Sequence, residues 1–202
     1  MILHKYKRII CFFGPDGVGK STLIYALAKK LRCSGNRVFI AKIGTNHVPA
    51  RLFEKLFITL GYYEWRPNSL CKLQKRMSRA LLRRKYVRFL WAVSNFIGSL
   101  VAIIYYVYFR SLHSNIILVE DFIPRIIADY AYAIGKYISG YKLFIVPFYK
   151  LILRIKPRLV FLIADYEILK KRRGLCVEPY DYIATQMIVY NSFIKKFNNV
   201  TI

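Results

Sequence analysis

Eight consecutive residues near the N-terminus have the spacing of a phosphate-binding loop. The segment at residues 14–21, GPDGVGKS, matches G-x-x-x-x-G-K-[ST] at every fixed position. In such a loop the backbone N–H groups surround the phosphates, the lysine reaches the β- and γ-phosphates, and the serine hydroxyl binds Mg²⁺. The pattern therefore predicts a site for a nucleoside triphosphate, with Lys20 on the phosphates and Ser21 on the metal. The predicted phosphate-binding residues are Gly14, Pro15, Asp16, Gly17, Val18, Gly19, Lys20, Ser21 and Thr22.

The segments on either side of this loop have the patterns of the elements that must position it. Residues 9–13 form a short apolar run of the buried-strand kind, and residues 21–32 repeat apolar side chains at helical spacing. A helix stop follows at residues 34–36, SGN. A strand, a glycine-rich loop and a helix in this order place the helix N-terminus and its partial positive charge at the phosphates.

Four further apolar runs predict more strands, at residues 38–43, 116–119, 159–163 and 200–202. Helical patterns separate them, which indicates an α/β fold with a parallel sheet covered by helices on both faces. There are no internal repeats, linkers or low-complexity segments. One domain over residues 1–202 is the prediction.

An acidic pair, Glu120-Asp121, comes directly after the third of these runs. Ligands of α/β sheets bind at the carboxyl ends of the strands, and phosphoryl transfer needs a carboxylate near Mg²⁺. Glu120 is therefore predicted to bind the metal together with Ser21.

The composition narrows the partners and excludes some classes of protein. Lys and Arg total 34 against 10 Asp and Glu, a net charge of +24, which attracts nucleotides, nucleic acid or anionic lipid. At 56% hydrophobic residues the chain is not intrinsically disordered. Its four cysteines are too scattered for a disulfide scaffold or a zinc ribbon. Cys11 and Cys33 lie in apolar surroundings, so we expect core residues in a reducing cytosol.

The three histidines are isolated and none has metal-ligand spacing; His47 is predicted to be a loop residue.

Residues 89–109 form a run of 21 residues without a charge, about the length that spans a bilayer. Two interpretations are open, a buried helix and a membrane-spanning helix. We favour the buried helix, because a spanning helix would separate strands that the parallel sheet joins.

Three segments of the chain resemble the thymidylate kinases, within the nucleoside-monophosphate kinase group of P-loop proteins. They are FFGPDGVGKSTL, KPRLVFLIADYEILKKRR and the closing YDYIATQMIVYNSFIKKFNNVTI. Together they carry the resemblance over about residues 6–43 and 115–202, whereas residues 44–114 match only in being helical and basic. The resemblance implies a P-loop NTPase fold with five parallel strands in the order 2-3-1-4-5. It implies Mg²⁺-dependent transfer from ATP to a nucleoside monophosphate, with dTMP as the family's acceptor.

The resemblance also implies roles for particular residues. Asp16 stands where the family binds the sugar hydroxyl of the acceptor, although it could equally be a turn residue. Arg51 is predicted on the acceptor phosphate. Arg172 and Arg173, in a short lid at about residues 170–178, are predicted to stabilise charge on the transferred group together with Lys20, and Glu120 is predicted to act in catalysis by placing Mg²⁺.

Two departures from the family pattern concern the acceptor and the base. The family has Asp-Arg where this chain has Glu120-Asp121, so no arginine follows the acid; Arg125 could supply the missing charge if the turn brings it back. The sequence given ends at Ile202, within the predicted last strand. The adenine is therefore expected to be bound less well, or by other means, than in the family.

A basic insert is predicted at about residues 50–112. No acidic residue occurs between positions 65 and 119, a stretch that includes most of this insert. Apolar residues between Leu70 and Leu90 recur near helical spacing, which predicts a basic amphipathic helix. Three interpretations are open: a solvated face of the acceptor region, a surface for anionic lipid, and a nucleic-acid surface, the last being least favoured because no nucleic-acid module is visible.

The leading hypothesis is a cytoplasmic thymidylate kinase-like phosphotransferase that uses ATP and Mg²⁺, with Asp16, Arg51 and Arg125 on the acceptor. The alternative is a nucleotide-binding protein that acts at an anionic membrane or nucleic-acid surface without nucleoside-monophosphate kinase activity. Membrane association and a homodimer are both compatible with the leading hypothesis of a phosphotransferase.

Overall fold

The computed structural model describes residues 8–44, 48–67, 72–109, 112–135, 140, 142–174, 177–197 and 200–201. Its strands are β1 (Arg8–Phe13), β2 (Val38–Ile43), β3 (Tyr63–Pro67), β4 (Leu73–Met77), β5 (Ile116–Asp121), β6 (Arg158–Phe161) and β7 (Val200–Thr201). Its α-helices are α1 (Lys20–Cys33), α2 (Val48–Thr59), α3 (Lys85–Ile103), α4 (Phe122–Ile134), α5 (Lys142–Ile155), α6 (Tyr166–Arg173) and α7 (Tyr180–Lys196). A 3-10 helix (Arg79–Arg83) precedes α3, and a π-helical segment (Ile104–Phe109) follows it.

Five strands form one parallel sheet in the order β2-β5-β1-β6-β7. Counted without β3 and β4, which lie outside this sheet, that order is 2-3-1-4-5. The α/β class, the five parallel strands and their order are therefore confirmed. All six residues of β5 are buried, as expected of a central parallel strand with both faces covered.

The side chains of the strands alternate between two hydrophobic clusters, one on each face of the sheet. On one face, Phe12 and Leu118 pack against Ile24 and Ala28 of α1. The other face forms the larger cluster, in which strand residues such as Phe13 meet α3, α4, α5 and α7. Cys11 belongs to this larger cluster, whereas Cys33 is exposed at the end of α1, so the expectation of a buried Cys33 is wrong.

The predicted amphipathic helix between Leu70 and Leu90 is wrong. Strand β4 lies there instead, paired with the preceding β3 in an antiparallel hairpin with Tyr63 opposite Met77, and α3 begins only at Lys85. The apolar residues that suggested helical spacing belong to three elements: Met77 ends β4, Leu81 lies in the 3-10 helix and Val87 lies in α3. Met77 and Leu81 pack together against α2. When a strand with alternating apolar residues is followed in the sequence by a short helical turn, the combined spacing of the apolar residues resembles that of one longer helix.

The apolar run at residues 89–109 lies in α3 and the π-helical segment. Among the residues described, the helix Lys85–Phe109 is the one that is long and apolar enough to span a membrane. The mean hydropathy of its most apolar window is 1.8, and 39% of that window is buried. Strands β2 and β5, which come before and after it, are hydrogen-bonded neighbours in the sheet. A membrane crossing between them would place paired strands on opposite sides of the bilayer.

Candidate functional site

The phosphate loop connects β1 to α1 and is in close contact with two other segments. Gly14 has φ +153°, and a Cβ atom on it would lie 2.2 Å from the carbonyl oxygen of Leu162, just after β6. Gly17 has φ +91°, and a Cβ atom there would lie 2.6 Å from Cδ of Arg173. Only glycine combines these backbone angles with such close approaches. The loop is therefore held between the end of β6 and α6.

The ammonium group of Lys20 points back into this loop, and the residue is only 4% exposed. Nζ donates hydrogen bonds to the carbonyl oxygens of Gly14 (2.9 Å) and Pro15 (3.1 Å) and to Oδ1 of Asp16 (3.3 Å). It also lies 3.3 Å from Oδ1 of Asp121. A buried cation held by carbonyl and carboxylate oxygens is one that phosphate oxygens could bind in their place.

Ser21 and Glu120, the two predicted metal ligands, are in direct contact. Oγ of Ser21 donates a hydrogen bond to Oε1 of Glu120 at 2.8 Å, and Nζ of Lys42 donates to the same oxygen at 3.0 Å. Hydroxyl and carboxylate oxygens suit Mg²⁺, which usually keeps several water or phosphate ligands. Within the described part of the chain no three His, Cys, Asp or Glu residues form a metal-binding group, so a bound Mg²⁺ would need such additional oxygens.

Asp121 holds a buried and incompletely paired carboxylate at the end of β5. Its φ of +76° and that of Phe122, +58°, lie in the left-handed region, which costs a non-glycine residue about 1–3 kcal/mol. Its Oδ1 accepts no hydrogen bond, although Nζ of Lys20 lies at ion-pair distance. Burial raises the pKa of Asp121 above its ordinary value, and the charge of Lys20 only partly opposes this.

Arg125 does turn back toward the phosphate loop, where it binds Asp16. Nη1 and Nη2 of Arg125 donate to the two carboxylate oxygens of Asp16, each at 3.1 Å, and Nε donates to Asp129 at 3.1 Å. Tyr182 donates to the same oxygen of Asp129 at 2.6 Å. Burial disfavours ionised Asp16, but Arg125 and Lys20 outweigh this and hold the pKa of Asp16 well below its usual range. Two of the three predicted acceptor ligands, Asp16 and Arg125, are thus bonded to each other in this structure.

The two predicted lid arginines lie at the end of α6, against the phosphate loop. Nη1 of Arg172 donates a hydrogen bond to the carbonyl oxygen of Val18 at 3.3 Å. The aliphatic part of Arg173 packs on Gly17. The helix begins after Asp165, whose side chain makes no capping hydrogen bond in the structure. The guanidinium groups of Arg172 and Arg173 therefore lie beside the loop, where bound phosphates would be, whereas the neighbouring lysines of α6 are exposed to solvent.

A cleft of about 910 Å³ opens beside the loop, and Asp16, Arg125 and Arg173 line it. Arg51 of α2 also lines it; this residue is exposed and has no described ion-pair partner. Thr22 is exposed in the first turn of α1, and His47 lies outside the described residues. Six of the ten acidic residues of the chain line the cleft. They are Asp16, Glu54, Glu64, Asp121, Asp129 and Glu178.

The far wall of the cleft consists of α2 and the hairpin, with ionic contacts that the sequence did not reveal. Glu54 of α2 accepts from Nη1 of Arg76 at 3.2 Å. Glu64 of β3 pairs with Arg66 and accepts from the backbone N–H of Arg79 at 2.7 Å. A signal was present in the sequence, because acidic residues are so rare in this chain that each of them is informative.

No family model matches the chain, and no curated protein matches it by sequence. The structure of the chain is similar to a solved one: the thymidylate kinase from Ehrlichia chaffeensis superposes on it with a TM-score of 0.54 at 14% identity. The match covers 97% of this chain and 93% of the other. The two proteins share a fold. At this identity the similarity extends to the fold alone, and the activity must be argued from the site.

Proposed function

We propose that the chain is a P-loop phosphotransferase that moves the γ-phosphoryl group of ATP, with Mg²⁺, to an acceptor bound in the cleft. The observation that carries this proposal is the hydrogen bond between Ser21 and Glu120, 99 positions apart in sequence, beside the buried ammonium of Lys20. A loop that served only to turn the chain would need neither the carboxylate nor the buried lysine. A nucleoside monophosphate, as in thymidylate kinases, is the acceptor class that the shared fold favours.

The residues of the chain act by positioning and by charge, which is what phosphoryl transfer requires. Lys20 would exchange its loop carbonyls for phosphate oxygens. Arg172 and Arg173 would neutralise the charge that develops on the transferred group. A bound Mg²⁺, held by Ser21 and Glu120, would supply further charge neutralisation on the phosphates.

The acceptor would lie between the loop and the far wall of the cleft. Arg51 is the cation best placed to bind its phosphate, since it is exposed and has no described ion-pair partner. Asp16 and Arg125 are bonded to each other beside this space, so an acceptor would share or compete for the hydrogen bonds of their ion pair. Asp121 stands where the family has an arginine, so we expect weak phosphorylation of dTMP.

A screen of acceptors with labelled ATP tests the proposal directly. ADP release that depends on an added nucleoside monophosphate, and a labelled product, is the expected result. Tight ATP binding without any acceptor-dependent release would instead favour the second candidate, a nucleotide-binding protein that acts at an anionic surface. The net charge of +24 is the observation that keeps that candidate open.

The Glu120→Gln variant is expected to reduce turnover by roughly 10²-fold and to shift the Mg²⁺ concentration needed for half-maximal rate upward. The amide keeps a hydrogen bond to Ser21 but removes the charge at the metal. Titration of the rate with MgCl₂, at saturating ATP and acceptor, measures this. The KM of the acceptor should stay within about twofold, because the change is at the metal. A normal Mg²⁺ profile would remove Glu120 from the metal site.

The Arg173→Ala variant is expected to lower kcat by about 10²-fold or more while ATP affinity changes little. Its guanidinium lies beside the phosphate loop but makes no described hydrogen bond to it, so the loss should appear in the transition state. Lys170→Ala, which removes an exposed cation from the same helix, is the matched control. Equal rates for the two variants would contradict a role for Arg173 in catalysis.

A further inference from the structure

Helix α3 and the π-helical segment carry apolar side chains on both of their faces. The face toward the protein combines core residues such as Ile103 with small and polar residues, among them Asn95 and Ser99, which are buried. The opposite face, here called the outer face, carries large apolar side chains that are 41% to 55% exposed. They are Phe89, Leu90, Ile97, Val101, Ile104 and Tyr105.

Helix α5 lies beside α3 and extends this apolar surface. Phe144 packs on Phe89 and Phe96, with ring centroids 6.0 Å and 5.6 Å apart. Next to it, Leu143 is 77% exposed and Val146 is 43% exposed. Two neighbouring helices that expose aliphatic and aromatic side chains in this way form a contiguous patch, which is typical of an interaction surface.

The charged residues of these two helices, and of the segment directly before α3, are all basic. Arg83, Arg84 and Lys85 are exposed immediately before and at the first turn of α3, and Lys142 and Lys150 are exposed on α5. No acidic residue occurs between positions 65 and 119 or between positions 130 and 164, so neither helix carries one. A partner that covers the patch therefore meets apolar side chains and basic residues, and no acidic residue, on these two helices.

We propose that the outer face, together with α5, binds the surface of an anionic lipid bilayer. Apolar side chains entering the boundary between headgroups and acyl chains, with Lys and Arg at the phosphates, form the usual interfacial arrangement. Basic residues near an anionic membrane surface strengthen the binding by their attraction to the lipid phosphates. The inner side of α3 lines the cleft with Trp91, so the bilayer would lie about one helix diameter, roughly 10 Å, from the proposed acceptor site.

The contacts of the inner face distinguish this binding from a membrane crossing. Ser99 donates a hydrogen bond to the carbonyl oxygen of Gly44 at 3.3 Å, and buried Arg88 donates to the carbonyl of Leu82 at 3.2 Å. These bonds and the packing of Trp91 on Tyr130, 5.2 Å between ring centroids, tie α3 to the folded domain. The helix can therefore lie on a bilayer with its outer face while the sheet stays intact.

The same charges disfavour a second copy of the chain as the occupant. In a twofold contact each patch meets its own copy, so the basic residues around it would face an identical set with no acid to pair with. Like charges at an interface oppose association, and each copy carries +24. Anionic phosphates neutralise that charge, which is why lipid is the occupant that this surface fits.

Co-sedimentation of the purified chain with vesicles tests the proposal. We expect pelleting with vesicles that contain phosphatidylglycerol, little pelleting with pure phosphatidylcholine, and full release by a sodium carbonate wash. The Ile97→Glu/Val101→Glu variant should lose about tenfold or more in partitioning. The Tyr25→Glu/Ile188→Glu variant adds the same charge at exposed apolar sites on α1 and α7, and it should lose less than about threefold.

Three results would overturn the proposal. The first is an equal loss of binding in the two double variants, which would show that net charge alone matters. The second is retention of the protein after carbonate, with release only by detergent, which would mean insertion. The third is a stable dimer by light scattering that Ile97→Glu/Val101→Glu dissociates while vesicle binding stays unchanged. None of these readouts requires phosphotransfer activity, so the test is independent of the proposed function.

Discussion

Replacing Lys20 by alanine is expected to abolish phosphoryl transfer and to weaken nucleotide binding together. The ammonium is the only basic group in the phosphate loop, and its Nζ already lies over the loop carbonyls of Gly14 and Pro15. Its loss removes a positioned charge from both the ground state and the transition state. We expect a fall in kcat of roughly 10³-fold or more and a clear rise in the Kd for ATP, measured by steady-state kinetics and calorimetry.

The same substitution is also expected to destabilise the protein, which the loop motif alone does not suggest. From the motif, Lys20 points only at ligand, and the fold should survive its loss. In the structure Lys20 is buried and pairs with Asp16 and Asp121, and Asp121 has no other described donor for its Oδ1. Removing the cation leaves a buried carboxylate unpaired, a change that typically costs 3–5 kcal/mol, so we expect a loss of about that size.

The Lys20→Ala/Asp121→Asn double variant separates these two effects. Removing the charge of Asp121 should restore most of the thermal stability, because Asp16 keeps its bidentate pair with Arg125. Nucleotide affinity and activity should not return. If calorimetry instead finds normal ATP binding in this double variant, whose stability has been restored, the loop does not bind phosphate through Lys20, and the proposed function fails with it.

The sheet and the phosphate loop could be predicted from sequence because their signals are local. Five residues of β1 are apolar and all six residues of β5 are buried, because central strands of a parallel sheet are covered on both faces and so appear as nearly continuous apolar runs. The loop motif is contiguous, and its glycines are required by backbone angles and by contacts such as Gly14 against Leu162. Glu120 was found because strand ends in such sheets are known positions for ligands.

The far wall of the cleft could not be predicted because its contacts join distant elements. Glu54 on α2 meets Arg76 on β4, and Glu64 meets the backbone of Arg79; no periodicity encodes either pair. The hairpin itself was hidden, since the spacing of Met77 and Leu81 suits both a helix and the observed turn. The buried helix favoured for residues 89–109 is buried on one face only, because hydropathy alone does not tell which side of an apolar helix is covered.

Arg125 is the residue with the second largest expected effect, because it joins two functions. Its guanidinium holds both oxygens of Asp16 and one oxygen of Asp129, and the Tyr182 ring lies 5.3 Å from its centre. Arg125→Ala would leave two partly buried carboxylates without their main cation, so we expect a lower melting temperature. Arg125→Lys keeps one positive charge but not the planar fork, and it serves as the control for net charge.

We expect Arg125→Ala to raise the KM of a nucleoside monophosphate acceptor by about 10- to 100-fold, the size of a charged hydrogen bond lost, with a smaller effect on the KM of ATP. The acceptor KM of Arg125→Lys should lie between that of the unaltered chain and that of Arg125→Ala, because an ammonium keeps the charge but cannot donate bidentately. Asp121→Arg would introduce the guanidinium that thymidylate kinases have after this strand, but it also removes the buried partner of Lys20, so we expect any gain in dTMP use to come with a lower melting temperature. Steady-state kinetics at 25 °C, well below the melting temperature of each variant, give the three comparisons. Efficient dTMP phosphorylation by the unaltered chain, together with an unchanged acceptor KM in Arg125→Ala, would show that the acceptor phosphate is bound by other residues, with Arg51 the first to test.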